Sequence, residues 1–439
     1  MRDLEFLRAA CIIWKEKGVI ASPNLRNGKL LSIIIGVVMV LGGLSACAQS
    51  GNNNSTTTTQ NKGPIKIGFA ISMTGDFSAD GKLLLQGYQL WAADINKQGG
   101  LMGRQVVLDY LNDKSDPNTA TVVYQTLIRD HHDDLIIGPF GFSNVSAGRI
   151  ADRYGYALVE GAGTTPDTFQ ANIKNLFSVS LSTQNYMASF AQYILSIPQA
   201  QRPKTAAYAL VNDFLAGPTV QKAHDILTQG GVQQVYYKTY ADETVNFQPI
   251  AAAIVAANPD VVVLGTESPQ AAAAYVKAFK QQHFNPKAII GLSGPDAGDQ
   301  FTSLIGGTKV AEGIFVPNDG WWPTSTSFQN AQFVKDFVAK FGGTPDGISS
   351  DSVQAYAAGQ VLQQAVEKAN STNNAKLLQV LHDANNSWNT IQGPVKFGTD
   401  GQNIASIAYL FQWQNGQLLP VYPSGQAIQN PQFPKSPWS

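Results

Sequence analysis

The sequence contains few cysteines and little excess charge. Its 439 residues include two cysteines, Cys11 and Cys47, both near the N-terminus. They cannot cross-link a chain of this length, and they are too few for a four-cysteine zinc site. Charged residues make up 14% of the chain and the formal net charge is −1, without the basic excess typical of nucleic-acid binders. We therefore expect two or three domains stabilised by large apolar cores, and no nucleic acid as a partner.

A single apolar run, residues 30–44, is long enough to suggest a membrane segment. Fifteen helical residues reach about 22 Å, short of the roughly 30 Å hydrocarbon core, so the run fits the apolar part of a secretory signal. It ends in Leu44-Ser45-Ala46-Cys47, which resembles the lipobox of bacterial lipoproteins. We predict that residues 1–46 are a signal peptide and that Cys47 carries a lipid. The alternative is an uncleaved signal anchor, and the long stretch before the run also leaves the true start codon open.

The mature chain then begins with a polar segment. Residues 47–63 are rich in Ser, Thr and Asn and contain nothing that forms a core, so we expect a flexible tether with a reach of roughly 20 Å. The working protein would lie outside the cytoplasm, anchored to the outer face of the cell membrane, or in the periplasm of a two-membrane cell.

From Ile65 onward, aliphatic runs of strand length alternate with segments of helical period. This alternation predicts an α/β protein with two doubly wound, Rossmann-like lobes built on parallel sheets covered by helices. The later chain instead shows three helices, two strand-like pieces and a proline-rich tail. The predicted strands are 65–71, 106–111, 135–138, 156–159, 206–211, 232–240, 261–264 and 288–290; the later helices are 328–341, 351–368 and 375–382, the strand-like pieces 405–413 and 417–422, and the tail 425–439.

Patterns that carry catalysis or bind metals are scarce. No HExxH, GxSxG or P-loop pattern occurs. His131-His132 stands beside Asp133-Asp134, either as metal ligands or as the polar end of a helix, and we favour the helix end. Residues 161–166 follow a strand like a dinucleotide loop, but the third glycine is missing. We expect no metal, no cofactor and no enzymatic activity.

A set of short motifs, none specific alone, occurs in a recognisable order. Together they resemble the branched-chain amino-acid binding-protein family, the periplasmic-binding-protein type I fold of ABC importers, over about residues 64–422. The motifs are residues 67–75, Gly81, Gly87, 94–96 with 99–104, 112–117, 136–139 with 150–152, 161–166, 258–260 with Gly265, 311–316, 355–358 and 393–397.

The resemblance implies two lobes joined by three hinge crossings, near residues 177–183, 315–322 and 391–395. Lobe one would be 64–180 plus 322–390, and lobe two 181–316 plus 391–424. The ligand would bind in the cleft at the carboxyl ends of the strands, and closure of the hinges would bury it.

Several ligand-binding positions follow from the same resemblance. Two loops, Phe142-Ser143 and Gly163-Thr164-Thr165, match positions that hold the carboxylate and amino group of an amino acid, as suits hydroxyls and backbone N–H groups. The matches at other positions are changed: Phe214 replaces a family aromatic, Asp80 stands at a family tyrosine, and Glu267 stands near a further aromatic. Either Asp296 or Glu267 would pair with an ammonium group. Trp321 either stacks on the ligand or packs at the hinge.

We therefore expect a monomeric, lipid-tethered solute-binding protein of an ABC importer, which delivers an amino acid, amide or related carboxylate to a membrane permease. The alternatives are a ligand-sensing receptor subunit of the same fold and, less favoured, an enzyme on this scaffold.

Overall fold

The computed structural model describes residues 63–162, 165–213 and 215–438, which lie in one compact unit. The predicted signal peptide, Cys47 and the tether up to residue 62 lie outside the described residues. Two large sheets flanked by helices form the unit, so the predicted α/β class is confirmed.

The first sheet has five parallel strands in the order β2-β1-β3-β4-β5. Its strands are β1 (Ile65–Ile71), β2 (Val106–Asn112), β3 (Leu135–Ile137), β4 (Leu158–Glu160) and β5 (Leu176–Ser178), connected by the helices α1 (Ser78–Lys97), α2 (Pro117–Arg129), α3 (Asn144–Tyr154) and α4 (Pro166–Gln170). Helices cover both faces of this sheet, which is why its middle strand, β3, is aliphatic throughout and fully buried. The doubly wound pattern predicted for this part is confirmed.

The start of α2 illustrates how local sequence sets these elements. The Asp116 carboxylate accepts hydrogen bonds from the backbone N–H groups of Asn118 and Thr119, each at 3.1 Å, and Pro117 occupies the first helical position. A carboxylate cap followed by proline satisfies N–H groups that have no partner inside the helix.

The second sheet has seven strands in the order β14-β13-β10-β9-β8-β6-β7. Helix α5 (Ala188–Ser196) leads into it; the strands are β6 (Thr205–Val211), β7 (Gln233–Tyr240), β8 (Val261–Gly265), β9 (Ala288–Gly291) and β10 (Phe315–Asn318), and the connecting helices are α6 (Ala216–Gln229), α7 (Gln248–Ala257), α8 (Pro269–Gln281), α9 (Asp299–Ile305) and α10 (Thr308–Ala311).

After β10 the chain forms α11 (Asn330–Phe341), α12 (Ser350–Ala369), α13 (Asn374–His382) and a small antiparallel pair, β11 (Trp388–Thr390) with β12 (Gly393–Val395). It then returns to the second sheet as β13 (Tyr409–Gln414) and β14 (Gln417–Tyr422). Both returning strands are antiparallel to their neighbours, so the prediction of a parallel second sheet is wrong at this edge. Asn415 and Gly416, with φ of 54° and 79°, form a tight turn that requires antiparallel pairing.

The buried apolar side chains form two large clusters and a smaller one. The first cluster draws on residues 65–179 and 321–397, and the second cluster on residues 187–315 and 410–421. A third cluster, residues 70–176, lies under α2 and α3. Ile391, Val395 and Phe397 pack in the first cluster, although the predicted boundary assigns them to lobe two. The division into two lobes remains a prediction.

Helices α1 and α12 meet at Gly87, and a substitution there has a predictable cost. A Cβ on Gly87 would lie 2.1 Å from the Ser352 carbonyl oxygen and 2.7 Å from Ala355 Cβ. We expect Gly87→Ala to push the helices apart and lower the free energy of unfolding by about 1–3 kcal/mol, measured by urea denaturation. Gly217→Ala is the matched control, because a Cβ on Gly217 in α6 meets no atom within 4 Å. An equal loss in both variants would contradict the close-packing argument.

Candidate ligand-binding site

A cavity of about 460 Å³ lies where strands of the two sheets end. Its wall takes residues that follow the carboxyl ends of β1, β3, β8, β9 and β10, together with the first turns of α12. This is the crevice in which open α/β sheets bind ligands, and its volume suits a small molecule. The lining residues are Phe77, Asp80, Phe140, Gly141, Phe142, Thr183, Tyr186, Leu215, Glu267, Leu292, Ser293, Asp296, Pro317, Asn318, Asp319, Ser350, Asp351 and Gln354.

The wall of the cavity is acidic. Five of the described lining residues carry carboxyl groups: Asp80, Glu267, Asp296, Asp319 and Asp351. No lysine, arginine or histidine is among the described residues of the wall. An unbalanced set of carboxylates around a cavity creates a negative potential that favours a cationic group.

Burial, helped at some positions by neighbouring carboxylates, raises the pKa values of these carboxyl groups. Burial raises the pKa of Asp351 to about 7, with a further contribution from the charge of Asp80. Burial, followed by the charges of Asp213 and Asp242, raises the pKa of Glu267 to about 7. Burial also raises the pKa of the remaining three. Removing charged groups from bulk water and placing like charges together both disfavour ionisation, and a bound cation would reverse the effect.

Two of the carboxylates are held in place by neighbouring side chains. The Asp319 carboxylate accepts a hydrogen bond from the Gln354 side-chain amide at 2.6 Å and a longer one from Gln392 at 3.4 Å. The Ser293 hydroxyl donates to Asp296 at 3.1 Å. Both carboxylates are therefore oriented while retaining oxygen lone pairs that can accept from a ligand.

Three phenylalanines form an apolar part of the wall. The ring centroid of Phe77 lies 4.7 Å from that of Phe142, nearly parallel to it, and 5.4 Å from that of Phe140. An aromatic face beside carboxylates suits a ligand with an aliphatic body and a positive charge, which is attracted to the faces of the rings.

The structure brings four of the residues predicted from sequence to this cavity: Asp80, Phe142, Glu267 and Asp296. They come from four different connections, so the predicted grouping depended on the fold implied by the family resemblance. Their role in ligand binding remains a prediction.

Other predicted residues lie away from the described wall. Ser143 is fully buried beside Phe142, and Thr165 is buried with its hydroxyl 3.4 Å from that of Thr168. The Trp321 indole N–H donates to Asn330 at 2.7 Å and its ring packs edge-on against Phe333. Of the two readings of Trp321, these contacts favour hinge packing. Gly163, Thr164 and Phe214 lie outside the described residues.

Sequence reasoning missed several residues of the wall, chiefly Phe77, Tyr186, Asp319, Asp351 and Gln354. Asp319 directly follows β10, in a segment interpreted only as a hinge. Phe77 lies in the connection from β1 to α1, just before α1 begins. The rule that ligands bind at the carboxyl ends of strands contained the signal for both. Asp351 and Gln354 lie on α12, which the strand pattern does not place at the cavity.

Known proteins share this architecture. The sequence pattern of the periplasmic binding protein family matches residues 64–417. Leu/Ile/Val-binding protein homolog 7 of Brucella melitensis is 25% identical over 385 residues, covering 84% of this chain and 94% of the relative.

Two solved structures have a similar fold. A putative branched-chain amino acid ABC transporter protein from Silicibacter pomeroyi superposes with a TM-score of 0.76 at 17% identity, covering 86% of this chain and all of that one. The branched-chain amino acid transporter substrate binding protein LivJ from Streptococcus pneumoniae, in complex with isoleucine, gives 0.64 at 19% identity, covering 81% and 97%.

The match along most of the chain identifies its class as an α/β binding protein with a ligand crevice. The chain belongs to the periplasmic binding protein family, and the resemblance noted in the sequence is confirmed. Within the described residues, the helices are too short or too polar to cross a membrane.

Proposed function

We propose that this protein captures a small solute bearing an ammonium group, an amino acid or an amine, and delivers it to an ABC permease. The observation that supports this proposal is the set of five carboxyl groups around a cavity whose described wall contains no basic side chain. The position of the cavity at the strand ends and the membership of the family support solute capture.

The charge of the wall discriminates among the ligand classes expected from the sequence. A ligand whose only charged group is a carboxylate would meet charged side chains of its own sign alone among the described lining residues. Contacts between like charges in a desolvated cleft cost several kcal/mol. An ammonium group would meet oriented oxygen acceptors on Asp296 and Asp319. An amino acid keeps the contact between its ammonium group and these carboxylates. An amine without a carboxylate also avoids repulsion by the acidic wall.

We further propose that the protein acts without catalysis, as a monomer held to the outer face of the membrane by a lipid on Cys47. Two lobes would close over the solute by bending at the crossing segments. Anchoring would raise the concentration of the loaded protein beside its permease.

A thermal-shift panel tests the charge class of the ligand. We expect putrescine or L-lysine to raise the melting temperature most, L-leucine less, and benzoate not at all, because ligands that bind only the folded state stabilise it by mass action. Benzoate raising it most would contradict the charge argument. No shift from any of the four, followed by no shift across a wider set of amino acids and amides, would overturn the proposal of solute capture.

A further inference from the structure

A second cluster of polar side chains lies on the first sheet, away from the cavity. Asp109 is on β2, and His131 and Asp133 are in the connection from α2 to β3. One donor atom from each of these residues lies within 4.8 Å of the donor atoms of the other two. Asp133 precedes β3, whereas the cavity residue Phe140 follows it, so the cluster is toward the amino end of this strand.

The register of the sheet creates the space for this cluster. Gly68 on β1 pairs directly with Asp109 on β2. A Cβ placed on Gly68 would lie only 2.2 Å from Asp133 Oδ2. The Asp133 carboxylate therefore occupies space that a side chain at position 68 would need. The His131 Nδ1 lies 2.7 Å from Asp109 Oδ2, which completes the group.

The burial of the Asp133 carboxylate without hydrogen-bond partners points to a bound ligand. Its side chain is buried, with 1% exposure of the residue, and neither carboxylate oxygen has a hydrogen-bond partner among the described residues. Its backbone is satisfied, because its N–H donates to Leu127 and its carbonyl oxygen accepts from the Tyr156 hydroxyl. A buried carboxylate without partners is costly, and a cation bound to it removes that cost.

Although the sequence alone predicts no metal here, we propose that Asp109, His131 and Asp133 bind a divalent transition-metal ion. One imidazole nitrogen and an oxygen from each carboxylate form a mixed nitrogen and oxygen donor set, which suits Zn²⁺ and its neighbours better than Mg²⁺ or Ca²⁺. Asp109 and His131 are partly exposed, which gives the ion a route from solvent and leaves positions for water.

Two further charges border this site. The Lys66 ammonium group lies 3.3 Å from the His131 carbonyl oxygen and opposes a cation. The Asp134 carboxylate accepts from the Lys66 backbone N–H and lies 3.7 Å from the Arg104 guanidinium. The two carboxylates among the three ligands still supply negative charge, which favours a cation.

Titration calorimetry of the chelator-treated full chain with Zn²⁺ tests the proposal. We expect one Zn²⁺ per chain, and an affinity lowered more than about 100-fold in both Asp133→Asn and His131→Gln, since loss of a direct ligand exceeds the cost of losing its supporting contacts. Co²⁺ in place of Zn²⁺ should give visible absorption bands that disappear in the same variants. Circular dichroism checks that each variant is folded.

His132→Asn is the matched control, because His132 is the adjacent, exposed residue and is not part of the cluster. It should keep the wild-type affinity. Absence of stoichiometric Zn²⁺ binding to the wild type, or equal loss in His132→Asn and His131→Gln, would overturn the site. Since the cluster lies apart from the cavity, the thermal-shift panel for amines is independent of this result.

Discussion

Replacing Asp296 and Asp319 together by asparagine is expected to weaken binding of the best amine of the thermal-shift panel by at least about 100-fold. Removing one partner of a desolvated, hydrogen-bonded charge pair typically costs 2–5 kcal/mol. Both carboxylates line the cavity and are oriented by Ser293 and Gln354. Asparagine keeps the size of the side chain and removes its charge, so titration calorimetry reports the electrostatic contribution.

Asp299→Asn provides the matched control for this pair. Asp299 is an exposed residue at the start of α9, three positions after Asp296, and it is not part of the cavity wall. Its substitution should leave the affinity unchanged. If the double variant binds the amine as tightly as the wild type does, these two carboxylates do not hold the ligand and the site assignment fails.

The second large effect is expected on the free energy of unfolding, at Lys435 in the tail that follows β14. Lys435 is 3% exposed, and burial lowers the pKa of its ammonium group to about 7. The folded state therefore binds this proton less tightly than the unfolded state does. We expect Lys435→Met to raise the free energy of unfolding by about 2–4 kcal/mol at pH 6, from the cost of keeping a buried lysine charged.

The pH dependence gives this prediction its sign. Below pH 7 the buried lysine is charged in both states and the full cost applies. As the pH rises from 7 toward the usual lysine pKa near 10.5, the folded state loses the proton first and the advantage of Lys435→Met declines. Contacts of the ammonium group with the Ser436 carbonyl oxygen at 2.7 Å and with the Trp438 ring offset part of the gain. Urea denaturation at pH 6 and pH 9 measures the difference in the free energy of unfolding between Lys435→Met and the wild type.

Lys309→Met, at an exposed lysine of α10, is the comparison for Lys435→Met. It should change stability by less than about 0.5 kcal/mol at either pH. A Lys435→Met variant that is less stable than the wild type at pH 6 would show that the contacts of the ammonium group exceed its desolvation cost.

Most of the fold was readable from periodicity, and the exceptions have physical causes. The largely apolar runs at β1, β3 and β8 are buried on both faces, and the sequence alone marks them as strands. β5, β11 and β12 have three residues each and, unlike β3, contain no continuous aliphatic run, so the sequence does not mark them as strands. Asn415-Gly416 is a hairpin turn sequence and therefore indicates the antiparallel edge of the second sheet, which the alternation of strands and helices does not predict.

The site was less accessible to sequence reasoning, because a cavity joins residues that are distant along the chain. Asp80 and Glu267 were found because family positions could be matched one at a time. The sequence does not reveal Asp351, because only the tertiary packing of α12 brings the first turn of that helix to the cavity wall. Asp133 is a polar residue near a helix end in the sequence, but its burial beside Gly68 depends on the pairing of β1 with β3.

The interleaving of the two large apolar clusters bears on when the chain can fold. The first cluster needs side chains as late as Phe397, and the second needs Val421. During synthesis neither of these two clusters is complete until more than nine-tenths of the chain has been made, so neither can finish folding early. Contacts this distant along the chain also slow folding. Late completion of both clusters would suit a chain that crosses a membrane before it folds, as the predicted signal peptide implies.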